Sequence, residues 1–489
     1  MKDPIKIVLV SSEVAPFSKT GGLADMSGAL PGVLKRMGCD VKVVTPLYAM
    51  VKKSGCALKT LLKDVKVVIG KKSVKGDISV AALNGGVDTY LIERDEYYNR
   101  DYLYGTSNGD YSDNAARFAF LSLMTLELCK EIGFQPDVIH CNDWQSGLIP
   151  AYLRTLYRDD PFYAHTAVLF TIHNMAYQGN FHKNELDLTG LPPEIFNAQG
   201  IEFWGKVSFL KAGTVYSEVI TTVSQTYSLE IQTPEYGHGM EGILSHRKDD
   251  LVGIINGVDY EAWSPEKDPI ILANYSRDDL YGKSECKKDL IAQFGLPESL
   301  KNFPLLGMVS RLADQKGIDL LAEIMEDLMK LNVGVVLLGT GERKYHELFN
   351  SITQKYPRKV GIQLCYDNNL AHKIEAGCDM FLMPSKYEPC GLNQIYSLRY
   401  GTIPVVRATG GLEDTIKDYT LSSEKGNGFK FTDYTPKAFL DKIKEALVVY
   451  EDKSAWLELV KRGMALDFSW EDSARQYIDL YHKARSKKA

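Results

Sequence analysis

Lys19-Thr20-Gly21-Gly22-Leu23-Ala24-Asp25 stands between the apolar run 5–10 and an amphipathic stretch that reaches Met37. A buried strand, a turn of small and polar residues and a helix are the parts of a βα unit. Glu388-Pro389-Cys390-Gly391-Leu392 repeats the arrangement late in the chain, after the apolar run 380–384 and before the helical pattern 392–400. Backbone N–H groups at the start of a helix lack partners within it and attract anions. Two such handovers in two halves of one chain predict two α/β domains acting on a phosphorylated ligand.

Working outward, apolar or β-branched runs at 41–45, 65–69, 138–140, 168–172 and 219–223 read as parallel strands buried on both faces. The second half continues with 251–255, 305–309, 333–338, 362–364, 380–383 and 403–406. Helical patterns lie between them. In 318–331, Leu320, Leu321, Ile324, Leu328 and Leu331 fall on one face. The alternation predicts an α/β fold of doubly wound parallel sheets, with ligands at the carboxyl ends of the strands. The boundary is expected within 253–259, giving an N-terminal domain over 1–253 and a C-terminal domain over 254–469. A last helix, about 470–489, is expected to cross back onto the first domain. Residues 95–114 read as a long Tyr-rich loop, and loops of that length are often functional.

A chain of 489 residues exceeds what one core usually holds, which agrees with two domains. The net charge of −6 and dispersed Lys and Arg residues give no basic footprint for nucleic acid, so a bound anion needs a local site. Eight cysteines without a C-x-x-C pair, and an opening strand with no signal or transit segment, predict a reduced, cytoplasmic protein. No apolar stretch approaches the ~20 residues that span a bilayer. Gly339-Thr340-Gly341-Glu342-Arg343-Lys344 lacks the third glycine of a dinucleotide fingerprint, and Gly282-Lys283-Ser284 lacks the first glycine of a P-loop, where Arg277 stands. There is no D-x-D to hold a metal against a diphosphate and no Cys/His cluster with zinc spacing, so no metal is expected.

The run 305–309 leads into Ser310-Arg311-Leu312-Ala313-Asp314-Gln315-Lys316-Gly317. This puts a guanidinium and an ammonium at a strand's carboxyl end, where they suit a diphosphate and its departure as a leaving group. Glu388 would be repelled by phosphate and is assigned to sugar hydroxyls, leaving the amides after Cys390 for the anion. Thr409-Gly410-Gly411 offers a turn that backbone-close phosphate can approach. In the first half His173 and Asn174 end one strand and Asp143 another. With Lys19 and the 237–241 segment they would gather on one crest.

The ordered set K-T-G-G-L-A-D, H-C-N-D-W, T-I-H-N-M-A-Y-Q-G, T-P-E-Y-G-H-G-M-E-G-I-L, I-N-G-V-D, S-R-L-A-D-Q-K-G and E-P-C-G-L-N-Q resembles bacterial glycogen synthases and plant starch synthases, from Ile5 to about Tyr481. That resemblance implies the GT-B fold, two Rossmann-like domains facing across a deep cleft, and retaining transfer of glucose from ADP-glucose to the non-reducing 4-hydroxyl of an α-1,4-glucan such as glycogen. It implies that Arg311 and Lys316 bind the donor diphosphate. Lys19, Gly21, Gly22, Asn256, Gly341, Cys390, Gly391, Leu392, Thr409, Gly410 and Gly411 would complete the donor site. Tyr366 would stack on adenine, Glu388 would hold glucose hydroxyls, His173, Asn174 and Asp143 would contact the transferred unit, and Asp25, Tyr177 and Gln178 would meet the acceptor.

The resemblance implies neither a metal nor a pyridoxal cofactor, and no membrane or nucleic-acid partner. Many retaining GT-B enzymes carry a second glutamate eight residues after the first, where this chain has Tyr396. UDP-glucose as donor, another acceptor, a phosphorylase and a non-catalytic glucan-binding homologue stay open, as do homo-oligomerisation and the choice between same-face and double-displacement routes. The tyrosines at 97, 98, 102, 104 and 111 are expected mainly to order their loop, with a glucan platform as the alternative.

Overall fold

The computed structural model describes residues 4–106, 109–420 and 425–488. Contacts divide the chain into one unit of Met1–Gly257 with Trp470–Ala489, and another of Val258–Ser469.

In the first unit nine described strands form one sheet. They are β1 (Lys6–Val10), β2 (Asp40–Pro46), β3 (Lys59–Ile69), β4 (Lys72–Leu83), β5 (Val87–Glu93), β6 (Val138–Asn142), β7 (Ala167–Ile172), β11 (Val219–Thr222) and β12 (Leu251–Gly253). Their order is β12-β11-β7-β6-β1-β2-β5-β4-β3, parallel from β12 to β5, with β4 and β3 antiparallel at the edge. The central strands β6 and β7 are buried along their whole length, as strands covered on both faces must be. Between β7 and β11 a small antiparallel sheet holds β8 (Asn180–His182), β9 (Glu202–Phe203) and β10 (Lys206–Ser208), in the order β8-β10-β9. After β1 the chain enters helix Gly22–Arg36, whose Leu23, Ala24, Met26, Ser27, Leu30 and Leu34 are buried at three- and four-residue spacing.

Three expectations change here. The run 65–69 belongs to an antiparallel edge strand, with Val68 60% exposed while Val67 and Ile69 point inward. Its alternating pattern is obscured because Val68 adds an apolar residue on the solvent side. The run 251–255 pairs with β11 and closes the first sheet instead of opening the second. The segment 95–114 contains helix Asp95–Tyr98 and leads into the buried helix Asn114–Glu131, while Ser107 and Asn108 lie outside the described residues.

The fully buried Arg117 organises that segment. Its guanidinium donates to the carbonyls of Tyr97 (2.7 Å) and Leu103 (2.8 Å) and to Asn114 Oδ1 (2.6 Å). Such acceptors offset the cost of burying the cation. Tyr97 and Tyr98 are buried, Arg100 and Arg117 lie over Tyr111, and Tyr104 binds Glu13, so only Tyr102 is strongly exposed. These rings order the segment.

The C-terminal helix Trp470–Lys488 packs on the first unit. Tyr477 and Tyr481 are fully buried, Ser473 Oγ donates to Ile255 O (2.6 Å), and Arg36 pairs with Glu471 (3.0 Å). His140 joins this helix to the sheet through Tyr481 OH (2.9 Å) and Thr171 Oγ1 (2.7 Å). Burial pushes the imidazole down to about 3, so it stays neutral.

In the second unit six described strands are all parallel: β13 (Leu305–Leu312), β14 (Gly334–Gly341), β15 (Val360–Gln363), β16 (Met380–Met383), β17 (Ile403–Arg407) and β18 (Phe429–Phe431). Their order is β15-β14-β13-β16-β17-β18. Helix Ile318–Leu328 buries Ile318, Leu320, Leu321, Ile324, Met325 and Leu328 against the sheet's core cluster. Gly282-Lys283-Ser284 lies inside helix Tyr281–Gln293, where Lys283 donates to buried carbonyls, so this stretch is part of the packing.

Tyr481→Phe leaves a buried His140 nitrogen without its partner. The expected cost is about 1–3 kcal/mol, read as a lower urea midpoint for the first unit, with the second unit's transition unmoved.

Candidate active site

The first unit gathers its polar residues where β1, β6 and β7, neighbours in the sheet, end. After β6 the backbone turns at Asp143 with φ +55 and ψ −179, a strained conformation that residues other than glycine rarely adopt. The Asp143 carboxylate is buried and accepts the His173 N–H at 2.7 Å. Burial pushes this acid up to about 7, and the amides of His173 and Asn174 pull it back only in part. His173 is also buried, and its Nε2 lies 2.9 Å from Asn142 Oδ1. The Asn142 amide nitrogen donates to Val10 O (3.1 Å), which turns its oxygen toward His173 and makes Nε2 the protonated nitrogen. Burial lowers the imidazole to about 3, so His173 presents a neutral ring with Nδ1 as an acceptor. Such a ring can accept a hydrogen bond from a sugar hydroxyl but carries no charge to offset a phosphate.

Asn142 was not anticipated by the sequence reading. It lies beside Asp143 in the H-C-N-D-W stretch, yet nothing in the spacing distinguishes a ligand-facing side chain from one that orients a neighbour. Asn174 makes a local turn through Ala176 N (3.0 Å), and Tyr177 is 51% exposed. Gln178 is buried, donating to His238 O (3.1 Å) and accepting from Asn180 (2.9 Å). Gln178, expected at the acceptor, also ties the 173–179 segment to the 237–241 segment.

After β1, Lys19 Nζ pairs with Asp25 at 2.6 Å on the first turn of helix Gly22–Arg36. Lys19 and Asp25, expected to meet donor and acceptor separately, therefore hold each other. Beneath them the buried Glu13 accepts from the Thr20 backbone, from Thr20 Oγ1 (2.6 Å) and from Tyr104 OH (2.6 Å). Burial raises this carboxyl, and those donors pull it down. Gly21 is exposed and an added Cβ would meet nothing within 4 Å, so packing does not demand a glycine there. Asn256 is buried, and its Oδ1 has no hydrogen-bond partner among the described residues.

The second unit builds its cluster where β13, β16 and β17 end. Lys316 Nζ lies 2.6 Å from Glu388 Oε2, which also accepts from Ser385 Oγ at 3.0 Å. Both charges are mostly buried, at 18% and 8% side-chain exposure. The turn that carries Lys316 is held by Gln315, whose carbonyl accepts from Lys386 N (2.8 Å) and whose amide donates to Tyr387 O (3.2 Å). Gln315 Oε1 also accepts from Arg311 (3.2 Å), which stands exposed near the end of β13. Gly317, at φ +69, lets this turn lie on the next, since a Cβ there would come within 2.0 Å of Pro384 O.

Gly410 and Gly411 also have a packing reason to be glycine. A Cβ on either would fall within 2.0 Å of Glu388 O or 1.8 Å of Cys390 O, and the Gly411 amide donates to Glu388 O (3.0 Å). The Thr409-Gly410-Gly411 turn is thus small because it packs directly on the 388–390 backbone. Gly341 likewise lies against Leu312 O, on the neighbouring strand. Gly391 has φ +68, while Cys390 is buried and Leu392 caps helix Asn393–Arg399. Tyr366 follows β15 and is 73% exposed, and Lys373 is paired with Asp289, so the Tyr366 ring is not packed away. Tyr396, which stands at the position of the missing second glutamate, stacks on Trp263 with centroids 3.9 Å apart. Among the described residues no group of three or more His, Cys, Asp or Glu could hold a metal ion.

Asp143→Asn removes a raised acid and keeps the side chain's size and shape. A carboxyl with a raised folded value favours the fold below its unfolded value, and that contribution is lost as pH rises through the folded one. Stability should therefore fall between about pH 4 and pH 7 in the parent, by up to about 1.4 kcal/mol per pH unit from this group. The variant should show a flatter slope in urea midpoints across that window.

Residues 6–246 match the family described as starch synthase catalytic domain, and residues 294–458 match glycosyl transferases group 1. The chain is 48% identical to a glycogen synthase of Koribacter versatilis, over 99% of both chains. It is 47% identical to one of Syntrophotalea carbinolica, over 98% of this chain and 99% of that one. The structure is similar to the catalytic domain of starch synthase IV from Arabidopsis thaliana bound to ADP and acarbose, with a TM-score of 0.91, 32% identity, and coverage of 99% of this chain and 100% of that chain. A sucrose-phosphate synthase from Thermosynechococcus elongatus shares the fold, with a TM-score of 0.59, 17% identity and 98% of each chain covered. The chain belongs to the glycogen and starch synthase family of retaining GT-B glycosyltransferases.

Proposed function

We propose that this enzyme transfers glucose from ADP-glucose to the non-reducing 4-hydroxyl end of an α-1,4-glucan with retention at the anomeric carbon. The observation that carries the reading is the cluster of Arg311, Lys316 and Glu388 at neighbouring strand ends, with cation and carboxylate already in contact. In this reading Arg311 and Lys316 take the donor diphosphate. Glu388 keeps Oε2 on Lys316 and turns Oε1 to the glucose hydroxyls, so one carboxylate both places the ammonium and orients the sugar. The neutral His173 accepts from a hydroxyl of the transferred unit. Asn174 and Asp143 line the same crest, and Lys19, Gly21, Gly22 and Asn256 serve the donor. Gly341, Cys390, Gly391, Leu392, Thr409, Gly410 and Gly411 shape the donor side of the second unit, and Asp25, Tyr177 and Gln178 face the acceptor.

The chemistry follows a same-face route. The bond from the anomeric carbon to the diphosphate oxygen breaks, the acceptor O4 bonds to that carbon from the same side, and its proton passes to the departing phosphate oxygen. Charge grows on the diphosphate as the bond lengthens, and Arg311 and Lys316 stabilise it there. A double displacement would need a carboxylate nucleophile on the opposite face, whereas in this reading Glu388 holds the glucose hydroxyls, and the first-unit group assigned to a hydroxyl of the transferred unit is the neutral His173. No metal or pyridoxal cofactor has a part in this scheme.

The exposed ring of Tyr366 suits stacking on a base, and the ADP named with the Arabidopsis structure favours adenine over uracil. Among the described residues no disulfide joins any of the cysteines, which favours a reduced, cytoplasmic setting.

The deciding experiment incubates the protein with glycogen and either ADP-glucose or UDP-glucose, and measures nucleoside diphosphate released and glucose incorporated. Release matched by incorporation with ADP-glucose is expected. Release without incorporation, or activity only with UDP-glucose, would overturn the reading. Lys316→Ala and Arg311→Ala should each lower turnover at saturating donor by roughly 10²-fold or more. Tyr366→Ala should instead raise the donor KM about tenfold, through lost stacking, with turnover largely kept.

A further inference from the structure

Trp204 is the most exposed large hydrophobic side chain among the described residues, at 82%. It occupies the first central position of the two-residue turn between β9 and β10, where Phe203 pairs with Lys206. Trp204 has φ +51 and Gly205 φ +77, the backbone of a turn that favours Asn, Asp or Gly at both places. A bulky residue in this region is an outlier, and here burial does not compensate for the strain.

The mount is nonetheless stiff. Gly205 N–H donates to Glu202 Oε1 (2.6 Å), and the Phe203 ring meets the indole edge-on with centroids 6.3 Å apart. Gly239 passes beneath both rings, since a Cβ there would lie 2.9 Å from Phe203 and 3.2 Å from the indole nitrogen. The hairpin is also tied to the candidate site. β10 pairs with β8, which continues directly from the 173–179 segment, and Gln178 bonds the carbonyl of His238, next to Gly239.

A flat aromatic face held rigid and left in water, with the Glu202 carboxylate on the same turn, fits the C–H face and rim hydroxyls of a pyranose. A lone ring is not the contiguous apolar patch that a protein partner needs. We propose that Trp204 is a stacking platform for a glucose residue of the α-1,4-glucan other than the one that accepts the transferred unit. The proposal rests on the synthase reading above and adds a second point of contact for long chains.

Trp204→Ala and Trp204→Phe are assayed with ADP-glucose against glycogen and against maltose, and all three proteins are titrated with maltoheptaose while tryptophan fluorescence is followed. Trp204→Ala should raise the KM for glycogen about tenfold. The KM for maltose and ADP-glucose should change less than twofold, and Trp204→Phe should recover most of the loss. Maltoheptaose should quench the parent and leave the Ala variant unchanged. An unaltered glycogen KM together with unaltered quenching would overturn the platform. So would an equal rise for maltose, which marks general distortion, or a changed elution volume, which marks an interface between copies. The titration needs no turnover, so a parent that fails to incorporate glucose but loses its quenching in the Ala variant would overturn the synthase reading while keeping the platform.

Discussion

A parallel sheet covered on both faces leaves its carboxyl-terminal edge as the place where every strand must turn, and this constraint shapes both units. The turns there are crowded against one another. Gly317 lies on Pro384 O, and Gly410 and Gly411 lie on the carbonyls of Glu388 and Cys390. Packing at this range leaves no room for side chains between the turns. The polar groups they carry then either meet each other or face outward. Lys316 and Glu388 meet at 2.6 Å, and Arg311 faces outward.

Burial at this edge also decides protonation. Asp143, His140 and His173 sit in the same dry layer, where the charged form of each is disfavoured, so the acid rises and the two imidazoles fall. The result is a first-unit crest with neutral His173 and a second-unit cluster with paired charges. The two kinds of site suit different work. A neutral acceptor network positions a sugar, and a cation held by a carboxylate can receive growing negative charge without reorganising.

Much of this was legible because parallel strands announce themselves as short apolar runs. β1, β2, β6, β7, β11, β16 and β17 lie where those runs stand. The edge hairpin of β3 and β4 was less legible, because half its residues face water and Val68 blurs the alternation. Arg117 gave no signal at all. A buried arginine reads as any helix-surface cation until the carbonyls of Tyr97 and Leu103 are seen to surround it.

The residue types at the strand ends were determined by the sequence alone. The motifs name Lys19, Asp143, His173, Arg311, Lys316 and Glu388 before any coordinate is known, because each follows an apolar run and belongs to the ordered set that carries the family resemblance. Their relations were decided only by the tertiary structure: that Lys316 pairs with Glu388, that Asn142 turns His173, that Lys19 is held by Asp25, and that Gly410 and Gly411 serve packing. These pairs are separated by up to 72 residues within a unit. Local pattern records what each turn carries, whereas sheet order and close backbone approach decide which turns touch.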